Sequence, residues 1–223
     1  MIVFDRVSKH YPVRGGGRVT ILNEFSGVMR DGVNVGILGK NGAGKSTLMR
    51  LISGGEPPSS GAIYREGRIS WPLGFAGGFN PQLTGRQNLR FIARLYNADY
   101  GDVVAFVEEF SELGPFMDEP LKTYSSGMRA RLAFGACMAI DFEYYLIDEV
   151  IAVGDASFRA KCKAVFDSRR ERASVMLVSH SSGFLKQFCD IGGVLADGEL
   201  TFYDTLDEAI RVHAENQKES AIG

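Results

Sequence analysis

Residues 39–47 combine glycine, lysine and hydroxyl side chains in a spacing that can hold a polyphosphate. The stretch consists of Gly39, Lys40, Asn41, Gly42, Ala43, Gly44, Lys45, Ser46 and Thr47. It follows an apolar strand-like segment at 33–38, and the pattern of a helix begins at Lys45. The glycines let the backbone close around phosphates, the helix start points N–H groups at their oxygens, and lysine supplies a cation. This pattern predicts binding of ATP or GTP.

Two carboxylates end a second apolar strand. The residues at 144–147 are Tyr-Tyr-Leu-Ile, and Asp148 and Glu149 follow directly. In an enzyme with a phosphate loop, Asp148 would hold Mg²⁺ together with the hydroxyl of Ser46, partly through water. Glu149 would orient or deprotonate the water that attacks the γ-phosphate. The pair therefore predicts nucleotide hydrolysis rather than binding alone.

A third segment, Tyr-Ser-Ser-Gly-Met at 124–128, comes just before a predicted helix. Taken alone, Ser-Ser-Gly is typical of a helix cap and turn. Here Asp148 follows Gly127 by 21 residues, and a further strand-like run ends in Val-Ser-His at 178–180.

Together these segments resemble the nucleotide-binding subunit of ATP-binding-cassette (ABC) transporters, over essentially the whole chain. Residues 124–128 resemble that family's Leu-Ser-Gly-Gly-Gln signature, with Ser126 and Met128 in place of the usual Gly and Gln. The resemblance implies that Ser125, Ser126 and Gly127 contact the γ-phosphate of an ATP held by a second copy. It implies ATP and Mg²⁺ as cofactors and a head-to-tail dimer.

The resemblance implies roles for four more positions. His180 would be the switch histidine that contacts the γ-phosphate, with Glu149 and Lys45 as the other catalytic residues. Asp155 would belong to the loop that couples the two sites, and Tyr11 would stack on adenine. Asn80 stands where the family has a magnesium-contacting Gln. Either Asn80 or the nearby Gln82 takes that role.

The apolar patterns predict the elements that must position these residues. Strands are expected at 2–7, 20–28, 61–64, 68–71, 143–147, 174–178 and 191–196. Helices are expected at 84–96, 102–113, 126–139, 156–170, 182–188 and 205–217. Alternation of strands and helices after 143 indicates an α/β fold with parallel strands. The resemblance implies one domain over 1–223: a P-loop NTPase (RecA-like) core, an N-terminal antiparallel β subdomain and a helical subdomain inserted at about 84–140.

The composition of the chain indicates its cellular compartment and which classes of partner it can attract. The 223 residues carry a formal charge of −2, which gives no overall attraction for nucleic acid. Cys137, Cys162 and Cys189 are odd in number and widely spaced, as expected of buried thiols in a reducing compartment. Apolar stretches are too short to span a bilayer. We expect a cytoplasmic protein that reaches the membrane through a partner.

The sequences of three stretches, at 70–74, 83–88 and 148–158, resemble those of the subgroup of the family that exports polysaccharides. This resemblance favours the ATPases of capsular-polysaccharide exporters, which work with a separate transmembrane permease and meet polysaccharide only indirectly. A teichoic-acid or O-antigen exporter is an alternative. A soluble ABC ATPase that acts on nucleic acid is an alternative from another functional class. A small P-loop kinase or GTPase is a third alternative, but it would leave residues 124–128 and His180 unexplained.

Overall fold

The chain forms two compact units. The computed structural model describes residues 1–73, 78–148, 155–179 and 181–222, with 219–222 by their backbone only. The first unit comprises Met1–Pro72, Glu143–Glu149 and Ala173–Gly223. The second unit comprises Leu73–Phe142 and Val150–Arg172.

The first unit contains an antiparallel sheet with the strand order β2-β1-β4. Its strands are β1 (Ile2–Pro12), β2 (Arg18–Met29) and β4 (Ser60–Arg65). Ile2 and Phe4 of β1 are buried and point to the same face, as the alternation of apolar residues predicts. The strand expected at 68–71 is wrong, because in this stretch Ile69 makes just one isolated bridge, to Tyr144.

The first unit also contains a five-stranded sheet with the order β5-β6-β3-β7-β8. Its strands are β3 (Val35–Leu38), β5 (Tyr144–Asp148), β6 (Ser174–Val178), β7 (Ile191–Ala196) and β8 (Glu199–Tyr203). The first four are parallel, and β8 pairs with β7 antiparallel. Every residue of β3 and β6 is buried, as is usual for strands in the centre of a parallel sheet.

Helices α1 (Lys45–Ser53), α6 (Ser182–Phe188) and α7 (Leu206–Ile222) belong to the first unit. Helix α1 follows β3 directly and begins after Gly44, which adopts a left-handed conformation with φ 104°. Because the parallel strands end at one edge of the sheet, the loop after β3 and the last residue of β5 share that edge.

The second unit is helical. It contains α2 (Gly85–Leu95), α3 (Tyr100–Ser111), α4 (Ser126–Met138) and α5 (Ala156–Arg170), with short 3₁₀ helices at Gly114–Asp118 and Leu121–Thr123. Its core includes the ring of Phe110, whose centroid lies 5.5 Å from that of Phe134 and 5.2 Å from that of Phe158. Since Phe158 belongs to α5, this helix packs with the helices that precede β5 in the chain.

Across the described ranges, which exclude 74–77, 149–154, 180 and 223, we find no helix that combines the length and the apolar character needed to cross a bilayer.

Candidate nucleotide-binding site

A pocket of about 400 Å³ lies in the first unit at the carboxyl ends of β3 and β5. Its lining consists of Ile21, Asn41, Gly42, Gly44, Lys45, Ser46, Thr47, Asp148 and Val178. Val178 of β6 pairs with Ile37 of β3 on one side and with Asp148 on the other. The strand order therefore brings the glycine-rich loop and the strand-ending carboxylate, 102 residues apart in sequence, to one pocket.

Lys45 spans the glycine-rich loop. Its Nζ donates hydrogen bonds to the carbonyl oxygens of Gly39, at 2.6 Å, and Lys40, at 2.9 Å. The N–H of Ala43 donates to the same carbonyl of Lys40 at 3.1 Å. Lys45 is 8% exposed, so its charge is concentrated inside the loop, where an anion could bind.

Two glycines of the loop are required by its backbone. Gly42 and Gly44 have φ of 82° and 104°, which side-chain-bearing residues adopt with strain. A Cβ at Gly44 would also overlap Cγ2 of Ile21, while a Cβ at Gly42 would meet no atom within 4 Å. At Gly39 a Cβ would lie 2.6 Å from the carbonyl oxygen of Leu195. The loop is thus closely fitted to the sheet beneath it.

Ser46 and Asp148 form an oxygen-rich corner of the pocket. The hydroxyl of Ser46 donates to Oδ2 of Asp148 at 3.2 Å. Oxygen ligands of this kind suit Mg²⁺, which commonly binds one or two protein oxygens together with phosphate oxygens. No group of three or more His, Cys, Asp or Glu side chains that could hold a metal occurs in the described ranges. The hydroxyl of Ser46 and the carboxylate of Asp148 are donors that fit a magnesium ion bound together with a nucleotide.

Tyr11 lies at the end of β1, outside the residues that line the pocket. Its hydroxyl donates to Oε1 of Glu56 at 2.5 Å, and Nζ of Lys9 lies 5.0 Å from the ring centroid. Lys9 also forms an ion pair with Glu56 at 2.7 Å. The ring is therefore held by its hydroxyl and has a cation over one face.

Glu56 makes the stability of the first unit depend on pH. Burial alone would raise its pKa, but hydrogen bonds from Lys9, Tyr11 and Arg50 outweigh burial and lower the pKa from 4.5 to about 2. A carboxyl with a lowered folded-state pKa stabilises the fold above its unfolded-state pKa, and this contribution is lost as the pH falls towards the folded-state value.

We therefore expect the difference in unfolding free energy between the native chain and Glu56→Gln to be constant above about pH 5.5 and to shrink between pH 4.5 and about 2. Urea unfolding at several pH values measures it. The comparison cancels the titration of the other carboxylates, which both proteins share. A difference that stayed constant down to about pH 3 would contradict this assignment.

Three residues of the predicted signature segment lie at the start of α4, in the second unit. The Oγ of Ser125 accepts a hydrogen bond from the backbone N–H of Met128 at 3.2 Å and caps the helix. Ser126 and Gly127 are the first two residues of α4. A Cβ at Gly127 would meet one atom within 4 Å, Oγ of Ser125 at 3.9 Å, so the backbone here faces open space.

Asp155 caps α5 in the second unit. Its Oδ1 accepts a hydrogen bond from the N–H of Phe158 at 2.9 Å, and this bond is the main cause that lowers the pKa of Asp155. The guanidinium of Arg131, from α4, lies 3.5 Å from Oδ2 of Asp155 and 4.1 Å from the centroid of the Phe158 ring. Arg131 therefore connects α4, the helix capped by Ser125, to the cap of α5.

Asn80 and Gln82 both have local partners in the second unit. Oδ1 of Asn80 accepts from the N–H of Gln82 at 2.9 Å, while the N–H of Asn80 donates to Oδ1 of Asn88 at 2.7 Å. Oε1 of Gln82 accepts from Nζ of Lys122 at 3.3 Å. The Asn80 side chain thus forms a turn with its own backbone. Which of the two residues approaches magnesium stays a prediction.

Two of the three predicted catalytic residues, Glu149 and His180, lie outside the described residues. Asp148, which precedes Glu149, ends β5 at the same edge of the parallel sheet as the glycine-rich loop, and Val178, two residues before His180, ends β6 there. Their roles rest on the sequence.

Sequence reasoning missed three charged residues of the first unit, Lys9, Arg50 and Glu56, and one of the second unit, Arg131. None stands in a recognisable motif. Lys9 and Glu56 meet from positions 47 residues apart, so no local spacing could have indicated their contact.

The fold and the pocket define an α/β protein with a phosphate-binding loop at the end of a central parallel strand. A family profile described as ABC transporter matches residues 22–152. The chain is 55% identical over 210 residues to the capsule polysaccharide export ATP-binding protein CtrD of Neisseria meningitidis serogroup B, covering 94% of this chain and 96% of CtrD. It is 49% identical to the polysialic acid transport ATP-binding protein KpsT of Escherichia coli, covering 94% and 97%.

The fold also matches a solved dimeric structure of the ATP-binding cassette MJ0796 in a post-hydrolysis state with ADP and Pi. The TM-score is 0.77 at 20% identity, with 92% of this chain and 99% of that chain covered. This chain belongs to the ABC transporter family. The expected α/β fold of that family, with its antiparallel sheet and parallel core, is confirmed.

Proposed function

We propose that this chain is the ATP-binding and ATP-hydrolysing subunit of an exporter that moves a capsular polysaccharide through a separate membrane permease. One observation carries the ATPase part. The loop 39–47 and Asp148 line one pocket, with Ser46 and Asp148 hydrogen bonded at 3.2 Å, in a chain of the ABC transporter family.

The residues of the loop bind the triphosphate. The α1 helix starts at Lys45, and the first N–H groups of a helix have no partner inside it, so they can donate to phosphate oxygens. The ammonium group of Lys45 exchanges its carbonyl partners for the more strongly accepting phosphate oxygens. Gly42 and Gly44 keep the backbone in the left-handed conformation that lets it curve around the phosphates.

Ser46 and Asp148 would hold the magnesium ion, with Asn80 or Gln82 as a further oxygen donor. Bound magnesium neutralises charge that builds up on the phosphates during transfer. Glu149 takes the proton of the attacking water, and His180 keeps that water in line with the γ-phosphate. Tyr11 supplies the ring on which adenine stacks.

A second copy of the chain completes each site. Ser125, Ser126 and Gly127 form the start of a helix of 13 residues, and its positive end suits a γ-phosphate. We propose that this end of one chain closes over the ATP bound to the loop of the other, with Asp155 coupling the two sites. Neither chain alone surrounds the γ-phosphate, so the transition state is stabilised in the closed dimer and hydrolysis reopens it.

The relatives support a capsular polysaccharide as the transported molecule. Two relatives that match nearly their whole length are named for capsule polysaccharide export and polysialic acid transport. The chain then works at the cytoplasmic face of the membrane through its permease, touches the polysaccharide only indirectly, and has no role on nucleic acid. This favours a capsule exporter over the teichoic-acid and O-antigen alternatives.

Replacing the chromosomal gene by an Asp148→Asn version tests this function in the organism that carries it. We expect the surface polysaccharide to disappear and to accumulate inside the cell, because the variant loses a charged magnesium ligand. Glu199→Gln, an exposed carboxylate on β8, is the matched control and should leave the capsule unchanged. Unchanged capsule in the Asp148 variant, or copurification of nucleic acid without a permease from detergent extracts, would contradict the proposal.

A further inference from the structure

Four side chains from three segments form a cluster in the first unit, next to the glycine-rich loop. They are Lys9 and Tyr11 of β1, Arg50 of α1, and Glu56 from the turn after α1. We call this set the Tyr11 cluster. Glu56 is its centre: Oε1 accepts from the Tyr11 hydroxyl at 2.5 Å and lies 2.7 Å from Nζ of Lys9, while Oε2 accepts from Nε of Arg50 at 3.0 Å.

The cluster reaches the glycine-rich loop through Arg50. Its Nη2 donates to Oγ1 of Thr47 at 2.9 Å, and Thr47 lines the pocket. The backbone also participates, because the N–H of Glu56 donates to the carbonyl of Arg50 at 3.2 Å. A continuous series of hydrogen bonds therefore runs from the Tyr11 hydroxyl, through Glu56 and Arg50, to Thr47.

The cluster restrains the Tyr11 ring. Lys9 is 8% exposed and donates from Nζ to the carbonyl of Pro57 at 2.9 Å, so its position over the ring is fixed. With the hydroxyl bound to Glu56 and a cation over one face, the opposite face of the ring is the one that a flat base can cover. Hydrogen bonds to charged groups are stronger than neutral ones, and partial burial strengthens them further.

We propose that Glu56 is a positioning residue for adenine: it sets the distance and tilt of the Tyr11 ring relative to Thr47, so that base and phosphates bind together. This inference rests on the proposed function, in which Tyr11 stacks on the base and the loop holds the phosphates. The contacts argue for more than a structural role, because one carboxylate, Glu56, hydrogen bonds both the Tyr11 hydroxyl and the guanidinium of Arg50. A role in local stability alone would not require this series of hydrogen bonds to continue from Tyr11 through Glu56 and Arg50 to Thr47.

Binding of ATP and of inorganic tripolyphosphate, each with magnesium, tests the proposal by calorimetry. Tripolyphosphate lacks the base, so it reports the loop alone. We expect Glu56→Gln to weaken ATP binding about three- to ten-fold and to leave tripolyphosphate binding within about two-fold. Tyr11→Phe keeps the ring and removes its hydroxyl, so it should give a similar loss. The double variant should be no weaker than the weaker single variant, since both break the same connection.

Glu199→Gln is the control for removing a carboxylate charge from the first unit. Equal losses for ATP and tripolyphosphate in Glu56→Gln would overturn the proposal, because they would indicate damage to the loop. Unchanged ATP affinity, or additive losses in the double variant, would overturn it as well. If the native chain itself bound no ATP, the proposed function would fail. If the native chain binds ATP and Glu56→Gln binds it equally well, the positioning role alone fails.

Discussion

Replacing Lys45 by alanine should lower the rate of ATP hydrolysis at least about 100-fold, the effect typical of removing one preorganised hydrogen-bond donor from a transition state. Nζ of Lys45 is already held inside the loop by the carbonyls of Gly39 and Lys40, so it has only to exchange these partners for phosphate oxygens. Its removal leaves the loop with backbone donors but without a cation. Steady-state release of phosphate by the purified chain measures this.

Two controls separate loss of chemistry from loss of structure. Lys45→Ala removes two hydrogen bonds within the loop, each contributing about 1 kcal/mol, so a modest decrease in the thermal midpoint is expected. Lys186→Ala removes another lysine of the first unit, one that pairs with Asp207 at 2.6 Å on the surface, and should hydrolyse ATP normally. A Lys45 variant that retained more than about a tenth of native activity would contradict the assigned role.

The parts of the site that follow from sequence are those encoded by neighbouring residues. The glycine-rich loop was predicted from the spacing of its glycines, lysine and hydroxyl residues between a strand and a helix. The structure gives the physical cause at Gly44, which has a left-handed backbone and no room for a Cβ beside Ile21. Asp148 was predicted because an apolar strand ends on it. Ser125 was assigned to the site by resemblance to the signature segment, while its capping of α4 follows from the preference of hydroxyl residues for helix caps. In each case a short range of sequence carries the physical cause.

Elements that depend on distant partners were predicted less well. Residues 68–71 have the composition of a strand, but in this stretch a single residue, Ile69, bridges to Tyr144, so composition without a partner strand was insufficient. Strand β8 was missed, although Asp197 and Gly198, with φ of 49° and 83°, form the tight Asp-Gly turn that joins it to β7. That dipeptide between apolar residues is a local signal for a hairpin.

The charged contacts of Glu56 in the first unit and of Arg131 in the second could not be predicted from one sequence. Glu56 collects donors from β1 and α1, and Arg131 joins the cap of α5 to the start of α4, but neither residue stands at a diagnostic spacing. Such contacts depend on how segments pack, and the same residue types are far more often exposed on a surface. The motifs of the candidate site can therefore be predicted from neighbouring residues. The contacts that hold these motifs in place depend on segments that are distant in the sequence.

Glycine at 127 should be essential for the dimer and dispensable for the fold. A Cβ there would lie 3.9 Å from its nearest neighbour, Oγ of Ser125, and alanine is favoured over glycine inside helices by about 1 kcal/mol. The thermal midpoint of Gly127→Ala should therefore be unchanged or raised. In the proposed dimer, however, the added methyl group lies between the start of α4 and the γ-phosphate of the other chain's ATP.

Glu149→Gln provides the background in which to measure this, since a chain that binds ATP without hydrolysing it should accumulate as closed dimer. We expect ATP and magnesium to convert Glu149→Gln from monomer to dimer, as followed by size exclusion with light scattering. Adding Gly127→Ala weakens a charged contact by about 2 kcal/mol in each of two sites, so the dimer should become roughly a thousand-fold weaker.

Gly183→Ala is the matched control, because Gly183 is the second residue of α6 as Gly127 is of α4, and its Cβ would also lie 3.9 Å from the capping serine, Ser181. In the Glu149→Gln background this control should dimerise fully. Both substitutions add a methyl group at the same position of a helix. A difference in dimerisation between the two variants would therefore indicate that the second chain and its ATP contact Gly127. Equal dimerisation of the two variants would mean that the start of α4 does not contact the nucleotide. The proposal that two chains share each ATP site would then be wrong, whereas the binding role of Lys45 would not be affected.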